Sequence, residues 1–272
     1  MSENIKVASI AIIIIVLIAI AAGVYYFFIY EKPEEILPVQ QVQEEQPVQV
    51  PAEEPVIEEE APELIRIELD ESDDTIRNMA EELSSHPGAA SWLMSKDLIR
   101  KFVGAVDNIA NGLSPRSQID FFTLEESFKI IEKDGLYYVD HEGYDRYNLV
   151  GDVFSSLDSE GWVKLYEQSA LLIQEAYTDL GYPEEDFNKT LTAAIVELLK
   201  APVVEGDILL EAKVVSYTMA DPELENLSEA QKHLIRMGPE NVRKIQAKLR
   251  EIGLALGIPE NKLPQARIHS TR

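Results

Sequence analysis

From Val7 to Tyr30 the chain runs for 24 consecutive residues without a charged side chain. Wound as a helix, such a run is about 36 Å long at roughly 1.5 Å per residue, enough to cross a hydrocarbon core of about 30 Å with some tilt. Fourteen of its residues are Ile, Leu, Val or Phe. Each favours insertion by roughly 0.3 to 0.6 kcal/mol, and no charge opposes them. Tyr25, Tyr26, Phe27, Phe28 and Tyr30 gather at the far end, where amphipathic rings prefer the headgroup layer. Residues 7–30 are therefore expected to form a transmembrane helix in contact with lipid. The alternative is a cleaved signal peptide, since Lys6 precedes the run and Ala19-Ile20-Ala21 has small-x-small spacing. The apolar run continues nine residues past Ala21, without the polar break that ends a signal sequence, so an uncleaved anchor is predicted.

Lys6 and the terminal amine lie on one side of this segment, whereas Lys32 on the other side is surrounded by Glu31, Glu34 and Glu35. The positive-inside bias then makes residues 1–6 a cytoplasmic tail and sends the chain beyond residue 30 out of the cytoplasm. In a Gram-negative cell that side is the periplasm. Residues 31–63 hold eleven Glu, six Pro and one Lys, with neither helical nor strand periodicity. This composition predicts a disordered, self-repelling tether. Its end-to-end distance would be roughly 30 Å as a flexible coil, with a stretched limit of about 110 Å.

The formal charge of -25 comes from 49 acidic and 24 basic residues, a balance that repels nucleic acid. The chain has no Cys, which excludes disulfides, thiolate metal sites and cysteine nucleophiles. Charge is unevenly placed: residues 226–272 carry nine basic and four acidic side chains, net +5, in a protein whose remainder is net -30.

Between residues 64 and 257 the patterning is that of one globular domain, mainly α with a small β component, and residues 258–272 are expected to be a flexible tail. A first helix opens at Asp73 or Asp74 and carries Ile76, Met79, Ala80 and Leu83 on one face. A second, capped by Ser95, repeats Leu98, Ile99, Phe102, Val103, Val106 and Ile109 at helical spacing and stops at Asn111-Gly112. Lys133-Asp134-Gly135 between β-branched and aromatic residues predicts a hairpin over about 128–138. Two long helices are expected over about 159–180, with Trp162, Leu165, Tyr166, Ser169, Leu172, Ile173 and Ala176 in a stripe, and over about 184–199. A strand is expected over 208–217. Ser228 with Gln231 reads as a capping box, and Gly238-Pro239 as a stop and restart. In the last helix Val242, Ile245, Leu249, Ile252 and Leu256 form a seam expected to pack on the domain.

Six stretches carry a resemblance: LDESD (Leu69–Asp73), KFVGAVDNIANG (Lys101–Gly112), DRYNLV (Asp145–Val150), LIQEAYTDLGYP (Leu172–Pro183), LLKAP (Leu198–Pro202) and QKHLIRMGPENVRKIQAKLR (Gln231–Arg250). In this order they resemble a bacterial family of single-pass membrane proteins known as a domain of unknown function. The resemblance implies an N-terminal anchor, a low-complexity spacer and one domain; with the orientation read from the flanking charges, the expected location is a bacterial inner membrane with the domain on the periplasmic side. It implies no activity.

No GxSxG, P-loop, GxGxxG or HExxH occurs, and His86, His141, His233 and His269 are scattered along the sequence. No catalytic residue, cofactor or metal is expected. The acidic run Asp70, Glu71, Asp73, Asp74 reads as a charged helix start. Arg146 with Tyr144 and Tyr147 reads first as a structural arginine stacked on aromatics at a helix start, and alternatively as a polar pocket gripping a carboxylate through the planar guanidinium. Arg236, Arg243, Lys244, Lys248 and Arg250 form a second candidate surface, for anionic headgroups, an acidic partner or the protein's own carboxylates. The expected function is a binding or scaffolding module for an envelope protein or cell-wall component. The alternative is a hydrolase with an unrecognised site.

Overall fold

The computed structural model describes residues 63–119 and 128–271. The expected tail 1–6, anchor 7–30 and nearly all of the tether 31–63 lie outside the described residues. Among those described, no helix is long and apolar enough to cross a membrane.

The first helix, α1 (Asp73–Glu81), starts where its leading acids predict and buries Ile76. After the short α2 (Ala89–Leu93), α3 (Leu98–Ala110) buries Ile99, Val103 and Val106. Ser95 does not cap α3. Instead the Asp73 carboxylate accepts the backbone N–H of Asp97 at 2.8 Å and of Leu98 at 2.9 Å. One acid thus serves its own helix start and the next one, which satisfies orphan amides from a distance. Gly112, at φ 71°, ends α3 in the left-handed turn predicted for it.

The predicted hairpin is present as β1 (Ile130–Lys133) and β2 (Leu136–Val139), with Ile130 opposite Val139. Asp134 and Gly135 both adopt positive φ, the geometry whose twist matches a two-residue hairpin. The helix expected over 159–180 divides at Ser169 into α5 (Ser159–Gln168) and α6 (Ala170–Asp179), after α4 (Asn148–Ser155). Next, α7 (Phe187–Leu199) begins later than Glu184, because Asp186 caps it through the Asn188 N–H at 2.9 Å. The apolar run expected as one strand is two: β4 (Leu209–Ala212) turns at residues 213–216 into β5 (Tyr217–Met219). These join the hairpin in an antiparallel sheet of order β1-β2-β4-β5.

After α8 (Pro222–Glu225), the predicted capping box opens α9 (Glu229–Ile235), and Gly238 at φ 86° hands over to α10 (Pro239–Ala255). The α10 seam lies inside the domain: Val242, Ile245, Leu249 and Ile252 are buried and the helix packs on α4, α5 and α7. Gln246 of α10 donates Nε2 to the carbonyls of Leu198 at 3.0 Å and Ala201 at 2.8 Å, and Gln231 donates to Glu197 at 3.2 Å. Side chains from later helices thereby satisfy the C-terminal carbonyls of α7. The flexible tail expected over 258–272 is corrected. Ile258 and Leu263 are buried, and β6 (Ile268–Ser270) runs parallel to β3 (Val203–Glu205), with Val203 opposite Ile268. Apolar anchors and an open strand edge draw the segment down.

Candidate functional site

Three local devices converge on one pocket. Ser114 caps a single 3-10 turn, Pro115–Ser117, by accepting the Arg116 N–H at 3.4 Å. Asp140 caps a longer 3-10 segment, His141–Tyr147, through the Glu142 N–H at 3.0 Å, and this segment carries Tyr144, Arg146 and Tyr147. The last turn of α9 carries His233, and Arg236 stands at its C-cap just before the turn at Gly238. The sheet supplies Val139, Leu210, Tyr217 and Met219 as a wall.

The enclosed space is about 560 Å³ and is lined by Arg116, Arg146, Arg236 and His233 together with Tyr144, Tyr147 and Phe128. No Asp or Glu occurs among the described residues lining it, in a protein of net charge -25. Arg146 is half-buried. Its guanidinium lies 4.7 Å from the Tyr147 ring centre and donates to the Tyr147 hydroxyl at 3.1 Å. Stacking and a hydrogen bond hold such a plane in one orientation. Arg116 and Arg236 are exposed at the margin. Burial, and then the charges of Arg236 and Arg116, push the His233 imidazole down to about 4. The histidine is therefore neutral at pH 7, and both arginines lie within electrostatic reach of it. Burial, reinforced by Asp207, raises the Tyr144 phenol to about 12, so Tyr144 stays a neutral donor. The His141 ring stacks on it at 5.3 Å.

Ser114 Oγ lies 3.0 Å from His233 Nδ1. A hydroxyl within reach of an imidazole is half of a nucleophile–base arrangement. The other half, a carboxylate orienting the ring, is not supplied by the described residues of the pocket. Two neighbouring cations also make this histidine a weak base. What the arrangement does well is hold an anion: guanidinium groups present planar forks of donors suited to carboxylate or phosphate oxygens.

The structure separates the candidate residues named from sequence. Arg146, Tyr147 and Arg236 line the pocket. The other four lie on α10 and are engaged within the domain. Arg243 pairs with Glu205, and Lys248 with Glu251. Lys244 lies 2.9 Å from both Asp152 and Glu240, and these hydrogen bonds, Asp152 first, raise its ammonium above the usual lysine range. Arg250 donates to the Pro264 carbonyl and ties down the tail. The acidic run at Asp70 to Asp74 is similarly occupied: Asp70 pairs with Arg100 at 2.9 Å, Asp73 caps α3, and Asp74 pairs with Arg77 at 2.5 Å.

Sequence reasoning missed Arg116 and His233 as pocket residues. Nothing local marks either one. The pair Ser114–His233 is 119 residues apart in the chain, and only the packing of α9 beside the end of α3 brings them together.

Comparison with curated proteins finds no match, and neither does comparison with solved structures. The model of one family, described as a protein of unknown function (DUF3014), matches residues 98–253, from the start of α3 almost to the end of α10. That span contains all four of the pocket's basic and imidazole side chains and leaves out the acidic LDESD stretch, and on this match the chain belongs to that family.

Proposed function

We propose that this protein is a membrane-tethered binding module whose arginine-lined pocket grips an anionic group on another envelope component. The observation that carries the reading is the convergence of Arg116, Arg146 and Arg236 with a neutral His233 around one cavity. The protein's other basic candidates, in contrast, are matched to its own carboxylates or carbonyls. A binding site on a strongly acidic molecule needs such a local reversal of sign, because the surrounding field otherwise repels anions. Residues 7–30 would hold the domain at a bacterial inner membrane, and the Glu/Pro-rich tether would let it search the periplasmic side. The hydrolase alternative draws on the Ser114–His233 contact, and the depressed basicity of that histidine weighs against it.

The test is a pull-down from crosslinked membranes using the full chain and its Arg116→Ala/Arg236→Ala double variant. Both side chains are exposed, so the variant keeps the fold. The wild-type chain should recover a specific acidic partner that the variant loses. Recovery of the same partners by both chains would overturn the reading. Each lost guanidinium–carboxylate hydrogen-bonded pair is worth about 1.5 to 3 kcal/mol, or roughly tenfold to a hundredfold in affinity.

A further inference from the structure

The arginine pocket has two chemistries side by side. At its margin stand Arg116 and Arg236, whose guanidinium groups make no hydrogen bond or ion pair with the described residues. Glu225, the carboxylate within electrostatic reach of Arg236, is already held by the Lys232 ammonium at 3.2 Å and the Met219 N–H at 2.8 Å. Against these charges stands an apolar wall of Val139, Ile208, Leu210 and Met219, all of them buried. A small inorganic anion would satisfy the guanidinium groups and leave that wall in contact with water. A ligand that matches both parts carries its charge on an apolar body.

The wall runs across the sheet from β2 through β4 to β5, and β5 is a margin of the sheet. The Lys213 N–H bonds to Ser216 and the Ala220 N–H to Leu209, and Thr218 stands opposite Glu211 between these two pairs. In an antiparallel ladder the alternate residues, Tyr217 and Met219, then turn their backbone groups away from β4. Glu225 takes the Met219 N–H. The N–H and carbonyl of Tyr217 and the carbonyl of Met219 have no partner among the described residues. The Tyr217 ring packs edge-on against Tyr137 with centroids 5.7 Å apart, which fixes the strand that presents them. Unpaired strand groups of this kind accept a further strand.

Resting on the anion-binding reading of this pocket, we propose that its ligand is the carboxyl terminus of an extended polypeptide that ends in an apolar residue and adds as a strand beside β5. The terminal carboxylate receives the forked donors of Arg116 and Arg236, the last side chain covers the apolar wall, and the peptide backbone pairs with Tyr217.

The test uses the full chain in phosphatidylcholine nanodiscs and fluorescein-tagged hexapeptides of alternating Thr and Val, read by fluorescence polarisation. Peptides ending in Val with a free carboxyl group should bind roughly tenfold to a hundredfold more tightly than their amides. Replacing the last Val by Gly should cost about tenfold. Two N-methylated series, one at odd and one at even positions, should differ, because only one set of peptide N–H groups faces β5; the matching series should lose about tenfold. In Arg116→Ala/Arg236→Ala, whose altered side chains are exposed, the preference for acid over amide should vanish while the melting temperature stays that of wild type. Equal binding of acid and amide, or of the two N-methylated series, would overturn the proposal. Octyl phosphate is the control that separates the two readings. If it binds wild type and not the double variant while peptide acids show no advantage over amides, the pocket holds anions and the peptide assignment falls alone. If neither octyl phosphate nor any peptide acid distinguishes wild type from the double variant, the anion-binding reading falls with it.

Discussion

His233 shows how one side chain links stability to the pocket's charge. In the folded protein its imidazole takes a proton only near pH 4, whereas an unperturbed histidine takes one near 6.5. Between these values the unfolded chain binds more protons than the native one, so stability falls as the pH drops through that window and levels off below it. The loss amounts to about 3 kcal/mol. Urea unfolding of His233→Asn should show a smaller decline between pH 7 and pH 4.5 than wild type; equal declines would mean the histidine is not the source. Gly238 is the second decisive residue. At φ 86° a Cβ there would lie 2.5 Å from Tyr144 Cγ and 2.9 Å from Tyr144 Cβ, the rooted end of that side chain. Gly238→Ala should cost about 3 kcal/mol and, by displacing a pocket residue, weaken anion binding as well. A variant as stable as wild type would show that this turn relaxes freely.

At the scale of elements, several helix ends of this fold are satisfied by side chains from distant segments. Asp73 serves α3, Gln231 and Gln246 serve α7, and Arg250 holds the carbonyls of the tail. Local patterning finds helices because apolar residues recur at helical spacing within one segment. It misses these caps because the acceptor and donor belong to different segments. It also misses the break at Ser169, where the apolar stripe continues across a one-residue interruption of the helix. The tail is the clearest case. Its sequence is polar enough to read as free, yet the Val203 N–H bonds to Arg267 at 2.8 Å and the Thr271 N–H to Glu205 at 3.0 Å. His269 adds a contact to Asp221 at 2.7 Å. Ending the chain after Pro264 should remove these bonds and lower stability by about 2 kcal/mol, seen as a drop of roughly 4 to 8 °C in melting temperature. An unchanged melting temperature would mean that β6 contributes nothing.

At the scale of the whole molecule, the matter is where the domain works. The uncharged run at 7–30 and the tether after it belong to the expected anchor, and the proposed function depends on them. Membranes carrying the full chain should retain it through alkaline carbonate extraction, while a chain starting at residue 31 should be released. Full-length protein in the extract would remove the membrane from the account. A topology reporter fused after Arg272 should be active on the periplasmic side.

The sequence by itself determined a mainly helical domain with a small β component, the Asp134-Gly135 hairpin, the capping box at Ser228 and the buried seam of α10. These follow from spacing along a few consecutive turns, where backbone geometry dictates which side chains share a face. It also singled out Arg146 beside its tyrosines. Only the tertiary structure decided which basic residues are matched within the domain and which line a pocket. Lys244 and Asp152 are 92 residues apart, far beyond the reach of local rules. The sign of a charge is written in the sequence, but its partner is chosen by the packing of distant helices, because electrostatic and hydrogen-bonding energies depend on separation in space and not along the chain.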